Sequence, residues 1–199
     1  MSPPLKLGFL ASRNGAGMRA IVRAIEAGEL DAEARILVVN RPGVPALAFA
    51  AEHGLPSRLI PTLPDPDAAD AVLSEALLAA GVELVVLSGY LRKLGPRTLA
   101  AFPGRILNIH PALLPSFGGK GMYGRRVHEA VAAADVSVTG ASVHIVDGDY
   151  DQGPVIASRS VALAPGDDAE TIERKVTEVE PDLFVETLRR ICAGELALP

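Results

Sequence analysis

The sequence predicts an α/β protein built on an open, mostly parallel, doubly wound sheet with an antiparallel extension in its C-terminal half. In the first half, short aliphatic runs alternate with helical patterns. These runs contain few polar residues, as expected for parallel strands that helices cover on both faces. In the second half, two extended runs follow each other across a short loop, which indicates an antiparallel hairpin.

The elements of the first half can be assigned in chain order. Strands are predicted at 6–12, 34–40, 57–61 and 82–90, and helices at 17–30, 44–54 and 65–81. The last of these helices begins with acidic residues and ends at Gly81, and Gly54 ends the one before it. Acidic residues at the start of a helix and glycine at its end are the residues that favour helix termini.

The second half contains a strand ending in "ILNIHP", stopped by Pro111, and two further strands at 137–147 and 153–164. The segment 167–196 has apolar residues at helical spacing. Pro181 lies inside this segment and is predicted to begin a new helix rather than continue the first, because proline cannot donate an intrahelical hydrogen bond.

Length and composition narrow the class of protein. A chain of 199 residues predicts one domain, covering 1–199. The formal charge of −5 argues against non-specific nucleic-acid binding. Cys192 is the only cysteine, so no disulfide framework or cysteine zinc site is predicted, and a reducing cytoplasm is expected. We find no run long enough to span a membrane and no signal peptide in "MSPPLKLGFLAS", which predicts a short tail before the first strand.

The glycine loop "RNGAGMRA" at 13–20 joins the first strand to the first helix. Glycines let the backbone approach a phosphate, and amides at the start of a helix point toward the anion. Three interpretations are open: a dinucleotide site, a tight turn without a ligand, and a site for one phosphate on a sugar substrate. A dinucleotide site needs an acidic residue near the end of the second strand, where Asn40 and Arg41 stand instead, so the third interpretation is favoured.

Asn108 and His110 interrupt an apolar strand two residues apart, so their side chains leave the same face. Ligands of open α/β sheets bind at strand ends of this kind. Together the two side chains could stabilise an oxyanion and transfer a proton, as acyl transfer requires. The alternative, equally open from spacing alone, is that Asn108 caps a turn and His110 is a buried core histidine.

The loop between the last two strands carries Asp147, Asp149 and Asp151. A carboxylate close to His110 would raise the pKa of its imidazole and fix the ring. A solvated turn and a cation site are the alternatives. The glutamate that completes a helix–loop–helix calcium site is absent after the loop, and no metal is predicted.

Three segments carry a resemblance to a known family: the opening glycine loop, "LNIHPALLPSF" and "SVTGASVHIVDGDYDQGPVI". Over essentially the whole chain the sequence resembles the folate-dependent formyltransferases, and within them the enzymes that formylate glycinamide ribonucleotide in purine synthesis. The resemblance implies a Rossmann-like fold with a phosphate-binding half at about 1–100 and a folate-binding, catalytic half at about 101–199.

The resemblance also implies a reaction and its catalytic residues. The amine of glycinamide ribonucleotide would attack the formyl group of 10-formyltetrahydrofolate, and the tetrahedral intermediate would release tetrahydrofolate. Asn108 would hold the oxyanion, and His110 would act as the general acid. Asp151 would raise the pKa of His110 and relay the proton, and His144 would either support this group or be structural.

The implied ligand-binding residues form two groups, and Glu180 would contact the glycinamide amine or be an exposed acid before a proline. The ribonucleotide site would comprise Gly15, Ala16, Gly17, Met18, Arg19 and Glu180, and the folate site Leu91, Arg92, Lys93, Leu94, Asn108, Val146 and Asp147. The implied partners are these two small molecules, without metal, nucleic acid or membrane, and the implied assembly is a monomer or homodimer in the cytoplasm.

Three departures from the family pattern affect the ligand sites. Many relatives have a Ser-Asn pair where this chain has Ala16 and Gly17, so backbone amides would replace side-chain contacts. The segment "LPDPDAAD" lacks a basic residue common in relatives. A glycine-rich loop at 117–124, within 117–131, could be a lid or a surface loop, and Lys120 or Arg125 could supply the missing positive charge.

Other functions of the same chemistry stay open. The alternatives are a formyltetrahydrofolate hydrolase, a formyltransferase for another amine, and a silent folate- or nucleotide-binding module. Relatives that act on initiator tRNA or hydrolyse formyltetrahydrofolate carry an extra domain, and the length of this chain favours the ribonucleotide enzyme. A silent module is expected to have a broken catalytic group, whereas Asn108, His110 and Asp151 are all present.

Overall fold

The computed structural model describes residues 3–199, so Met1 and Ser2 of the predicted N-terminal tail lie outside it. Its centre is one seven-stranded sheet with the order β3-β2-β1-β4-β5-β6-β7. The strands are β1 (Leu5–Ala11), β2 (Ala32–Val39), β3 (Ser57–Leu59), β4 (Leu84–Leu87), β5 (Ile106–His110), β6 (Val138–Ile145) and β7 (Val155–Ala162).

The strand pairing confirms the predicted fold class. Strands β1 to β5 pair in parallel, whereas β6 lies antiparallel to both β5 and β7. The chain runs outward from β1 to β2 and β3, then returns to place β4 on the other side of β1. The loops after β1 and β4 therefore leave the sheet in opposite directions and open a crevice, which is where ligands of such sheets bind.

Six helices connect and cover the strands in the part of the chain that the structure describes. They are α1 (Ala16–Glu26), α2 (Pro45–Glu52), α3 (Pro66–Ala79), α4 (Pro96–Ala101), α5 (Arg125–Ala133) and α6 (Ala169–Cys192). The sequence patterns do not predict α4 or α5, because α4 is only six residues long and α5 directly follows the glycine-rich loop. Within residues 3–199, no helix combines the length and the apolar character needed to cross a membrane.

Buried apolar side chains form one cluster on each face of the sheet. The first packs side chains of α1, α2, α5 and α6 against β1 residues such as Leu7 and Phe9. The second packs α3 residues, among them Leu73 and Leu77, against Val85 of β4. Because both faces are covered, the strands need apolar residues in consecutive positions, as the sequence shows.

The predicted helix break at Pro181 is wrong, since α6 continues through it from Ala169 to Cys192. A proline inside a helix costs about 3 kcal/mol. Buried apolar residues on both sides of Pro181 offset this cost, at roughly 1.5–3 kcal/mol for each fully buried side chain. They are Ile172, Val176, Leu183, Phe184 and Leu188. Packing against α1, α5 and the β6–β7 hairpin therefore outweighs the local preference.

Asp70 of α3 anchors the short helix α4. Its buried carboxylate accepts hydrogen bonds from the backbone N–H of Arg97 at 2.8 Å and of Thr98 at 3.2 Å, and from the Thr98 hydroxyl at 2.6 Å. A side chain at Gly95 would collide with this carboxylate, because an added Cβ would lie 2.3 Å from its Cγ. The N-terminus of α4 is thus capped by a residue from another helix, which fixes the loop that precedes it.

We expect Asp70→Ala to lower the free energy of unfolding by about 2–4 kcal/mol, because it leaves two backbone amides and a hydroxyl without their buried acceptor. Urea denaturation followed by circular dichroism measures this loss. The control is Asp67→Ala, an exposed acid in the first turn of the same helix, for which about 0.5 kcal/mol is expected. Equal losses in the two variants would show that Asp70 acts only through the dipole of α3.

Candidate active site

The antiparallel pairing of β5 and β6 assembles the centre of the candidate site. Asn108 lies opposite His144, and His110 lies opposite Ser142. Side chains of directly opposed residues share one face of a sheet and contact each other. The predicted pair Asn108 and His110 therefore extends to a third polar side chain, His144, on the neighbouring strand.

Asp151 completes this group from the turn between β6 and β7. One carboxylate oxygen lies 3.5 Å from Nδ1 of His110, and the other lies 3.5 Å from Nε2 of His144. The backbone of Asp151 is left-handed, with a φ of 56°, a conformation that aspartate tolerates better than most residues. This conformation directs the side chain inward between the two rings, where it is 11% exposed.

Backbone carbonyls determine which ring nitrogens carry protons. Nε2 of His110 lies 2.8 Å from the carbonyl oxygen of Phe117, and Nδ1 of His144 lies 3.1 Å from that of Ile145. A carbonyl only accepts, so each of these nitrogens donates. In a neutral His144, Nε2 is then an acceptor and receives a hydrogen bond from the side-chain amide of Asn108 at 3.0 Å. The second amide proton of Asn108 remains for another acceptor.

Burial dominates the protonation of His110. Desolvation lowers the pKa of its imidazole, and although the Asp151 carboxylate and the Phe117 carbonyl act in the opposite direction, the net pKa is below the usual value. Asp151 raises the pKa of His110, as predicted, but desolvation of this residue, which is only 3% exposed, is the larger effect. His110 is therefore neutral at neutral pH in the free protein.

The same site keeps Asp151 ionised. Desolvation raises the pKa of its carboxyl, but the neighbouring side chains of His144 and His110 and the backbone N–H of Gly119 lower it further than burial raises it. The Gly119 amide donates to the carboxylate at 3.0 Å. The result is a neutral imidazole beside an anionic carboxylate, an arrangement that stabilises a proton arriving on the ring.

A cavity opens beside this group and contains most of the predicted folate residues. It is lined by Leu87, Tyr90, Arg92, Lys93, Leu94, Leu99, Asn108, His144, Val146, Gly148, Asp149, Tyr150 and Asp151. Apolar walls thus meet two cationic side chains and the polar group of β5 and β6. Leu91 and Asp147, which were also predicted, are exposed residues outside this lining.

The predicted phosphate loop forms the start of α1. Gly15 precedes the helix with a φ of 66°, a left-handed conformation that glycine adopts without strain. The amides of Ala16 and Gly17 lie in the first turn, where no intrahelical carbonyl is available to them. The amide of Met18 already donates to Ser88 Oγ at 2.9 Å. The guanidinium of Arg19 lies over the Phe49 ring, 4.8 Å from its centre.

Glu180 shares a face of α6 with Phe184, which contacts this loop. It is one helical turn before Phe184, so both side chains lie on the same face of the helix. Phe184 contacts the loop, since a Cβ added at Gly17 would lie 3.2 Å from its ring. Desolvation, with a smaller contribution from Glu173, raises the pKa of the Glu180 carboxyl to about 7.

The glycine-rich loop contacts the centre of the site. The Phe117 carbonyl binds His110, the Gly119 amide binds Asp151, and a Cβ added at Gly118 would lie 2.4 Å from a Leu114 methyl. This part of the loop is therefore bound to His110 and Asp151 rather than being a separate surface turn. Arg125, a predicted source of positive charge, lies close to two carboxylates, at 3.7 Å from Glu129 and 4.0 Å from Glu173.

The sequence reasoning missed several residues of the site. Tyr90, Leu99 and Tyr150 line the cavity. Ser12 after β1 and Ser88 after β4 accept hydrogen bonds from the backbone of Leu91 and Met18, in the two segments predicted to bind ligands. A polar residue directly after a buried parallel strand is the signal that could have identified the serines. Among residues 3–199, no group of three or more histidine, cysteine, aspartate or glutamate side chains could hold a metal ion.

Comparisons with known proteins identify similar chains. A family model described as formyl transferase matches residues 5–188. The chain is 32% identical over 188 residues to phosphoribosylglycinamide formyltransferase of Bacillus subtilis (strain 168), covering 94% of each. The glycinamide ribonucleotide transformylase 1 structure from Symbiobacterium toebii superposes with a TM-score of 0.92 at 31% identity, covering 100% of this chain and 92% of that one.

Plant relatives are longer than this chain. The chloroplastic phosphoribosylglycinamide formyltransferase of Arabidopsis thaliana is 35% identical over 190 residues, which cover 94% of this chain and 65% of that protein. The corresponding protein of Vigna unguiculata is covered over 61% of its length. The chain thus spans less than two thirds of these two relatives.

The raised pKa of Glu180 predicts a pH-dependent stability. Because the carboxyl titrates near 7 in the folded protein and near 4.5 in the unfolded chain, the folded state binds more protons between these values. Stability is then fully present below pH 4.5 and is lost as pH rises through 7. Glu180→Gln keeps the side chain neutral, so it should raise the free energy of unfolding by about 1–3 kcal/mol at pH 8 and by little at pH 4.5.

Urea denaturation at several pH values measures this difference. Glu178→Gln is the matched control, since Glu178 is exposed on the same helix and lies 3.6 Å from Arg174. A pH-independent effect of Glu180→Gln, or the same profile in both variants, would show that Glu180 is ionised in the folded protein.

Proposed function

The chain belongs to the formyl transferase family, and we propose that it transfers the formyl group of 10-formyltetrahydrofolate to the amine of glycinamide ribonucleotide. The products are formylglycinamide ribonucleotide and tetrahydrofolate, in de novo purine synthesis. Residues 1–199 act as one domain in this proposal, in the cytoplasm and as a monomer or homodimer. Similarity to chains named phosphoribosylglycinamide formyltransferase and glycinamide ribonucleotide transformylase 1 supports the choice of substrates.

The observation that carries the proposal is the Asp151 carboxylate between His110 and His144, with Asn108 at the edge of the same group. Formyl transfer removes one proton from the attacking amine and delivers one proton to N10 of the folate. A neutral imidazole beside a buried carboxylate can accept and return such a proton. Nδ1 of His110 faces Asp151 and is the nitrogen that gains the proton.

The negative charge that develops on the formyl oxygen is best stabilised by a hydrogen-bond donor that is already oriented toward it. The amide of Asn108 is fixed by its hydrogen bond to His144 Nε2, and its second N–H is free to donate. A preorganised donor of this kind stabilises a tetrahedral intermediate by about 3–4 kcal/mol. The protonated ring of His110 would lie beside the same charge, so the two predicted side chains act on one intermediate.

The two ligands would bind on either side of this group. The phosphate of the ribonucleotide would lie at the start of α1, against the amides of Ala16 and Gly17, where the helix dipole favours an anion. The carboxyl of Glu180, whose pKa is raised to about 7, would meet the glycinamide end. The pterin would enter the cavity beside Val146, and the cationic Arg92 and Lys93 would meet the carboxylates of the folate tail.

A spectroscopic assay of 10-formyltetrahydrofolate consumption tests the function directly. We expect consumption only when glycinamide ribonucleotide is present. Consumption at the same rate without the ribonucleotide would identify water as the acceptor and the protein as a hydrolase. If 10-formyltetrahydrofolate is consumed neither with nor without the ribonucleotide, glycinamide ribonucleotide is not the acceptor. A silent binding module would then be the better description.

Asp151→Asn tests the proton transfer. The amide cannot stabilise a protonated His110, so turnover should fall by about 10²–10⁴-fold, while the dissociation constant for tetrahydrofolate changes by less than about fivefold. Loss of the carboxylate also lowers the pKa of His110 further, so any residual activity shifts its acid limb to lower pH. Steady-state kinetics across pH 5 to 9 and calorimetric titration measure both effects.

Asp135→Asn provides the matched control. Asp135 is an exposed aspartate with a φ of 49°, so the same substitution is made in the same backbone conformation away from the site. Its turnover should equal that of the unmodified protein. Full activity of Asp151→Asn across the pH range would remove this carboxylate from the mechanism.

A further inference from the structure

Two buried serines stand directly after the neighbouring strands β1 and β4. Ser12 directly follows β1 and is 0% exposed, and Ser88 directly follows β4 and is 3% exposed. They stand at the crevice where the chain leaves the sheet in opposite directions. The loop after β1 is the proposed phosphate loop, and the loop after β4 is the proposed folate loop.

Each serine accepts a hydrogen bond from the loop that follows the other. The backbone N–H of Leu91, in the folate loop, donates to Ser12 Oγ at 2.8 Å. The backbone N–H of Met18, in the first turn of α1, donates to Ser88 Oγ at 2.9 Å. A backbone bond from Ser12 N–H to the Gly89 carbonyl at 3.2 Å joins the same two segments. We call this reciprocal pair of side-chain bonds, Ser12 to Leu91 and Ser88 to Met18, the serine brace.

Gly17 makes room for one half of the serine brace. A Cβ at this position would lie 3.3 Å from Ser88 Oγ and 3.2 Å from the Phe184 ring, which is tighter than ordinary van der Waals contact. A side chain there would push against the hydroxyl that binds the Met18 amide. The glycine that departs from the family pattern therefore fits the presence of Ser88.

We propose that the serine brace couples the two ligand loops, so that the ribonucleotide and the folate each strengthen the binding of the other. This inference rests on the proposed function for the identity of the two ligands. A ligand that fixes one loop also fixes the other loop through the reciprocal bonds. The second ligand then binds a loop that is already ordered, which is a positive coupling between two sites. Ser12 and Ser88 are thus positioning residues.

The coupling is measured as the ratio of two dissociation constants. Calorimetric titration gives the constant for tetrahydrofolate alone and in saturating glycinamide ribonucleotide. For the unmodified protein we expect tighter binding by about tenfold in the presence of the ribonucleotide. In Ser12→Ala and in Ser88→Ala the ratio should fall below about twofold, because either substitution removes one of the two reciprocal side-chain bonds through which the loops are coupled.

Ser74→Ala is the control for general loosening of the fold. Ser74 is also a buried serine, 8% exposed, but it lies in α3 rather than at the crevice. Its coupling ratio should match that of the unmodified protein. Equal loss of coupling in all three variants, unchanged coupling in Ser12→Ala and Ser88→Ala, or no coupling in the unmodified protein would each overturn the proposal.

Hydrogen exchange tests the brace without any ligand. In Ser88→Ala, the Met18 amide loses its acceptor and should exchange about tenfold faster, and the Leu91 amide should also exchange faster because the other bond is weakened. Ser12→Ala should give the reverse pair of effects. If each substitution affects only the amide that it releases, the two bonds are independent and the proposal fails.

Failure of the proposed function has a different signature. In that case the unmodified protein would bind neither ligand, while faster exchange at both amides in each serine variant would still show that the brace connects the loops. If the unmodified protein binds both ligands but each serine substitution speeds exchange only at the amide that it releases, the proposed function is supported and the coupling through the serine brace is not.

Discussion

The rest of the site depends on one buried carboxylate held between two imidazole rings. A carboxylate with little access to water is strongly destabilised unless several groups compensate its charge. Asp151 has contacts with His110 and His144 and a hydrogen bond from the Gly119 amide. The antiparallel course of β6, the left-handed turn at Asp151 and the inward position of the glycine-rich loop each supply one of these partners. The architecture of the C-terminal half thus brings two imidazoles and one backbone amide to a single carboxylate.

Most of the fold could be predicted because its causes are local. Strands buried on both faces require consecutive apolar residues, and helices that cover them require a periodic apolar stripe, so both leave a pattern in the sequence. Helix α4 leaves no such pattern, since its cap is Asp70, 27 residues from Arg97, on another helix. Pro181 shows the opposite error. A local rule predicts a break, and packing of α6 along its whole length overrides it.

In the candidate site, too, some features could be predicted from the sequence and others could not. The spacing of Asn108 and His110 on one strand face predicts their proximity, and the family resemblance brings Asp151 to them. The net pKa of His110 could not be predicted, because it is set by how completely the folded chain excludes water from the ring. Ser12 and Ser88 were missed because a serine at the end of a strand can have many roles, and the sequence does not indicate which one applies. Only the positions of Met18 and Leu91 across the crevice reveal what these two hydroxyls bind.

The continuous helix α6 explains how two separately built ligand regions hold one geometry. It packs against α1, whose first turn is the proposed phosphate loop, and against the β6–β7 hairpin, whose turn carries Asp151. Catalytic groups must be held to within a fraction of an ångström, and one continuous helix links these regions more rigidly than two helices joined at Pro181 would. A proline inside a helix costs about 3 kcal/mol, and the burial of Leu183 and Phe184 beyond it retains the single rigid element. Together with the serine brace on the other side of the crevice, α6 fixes the position of the proposed phosphate loop relative to His110 and Asp151, the proposed proton-transferring pair.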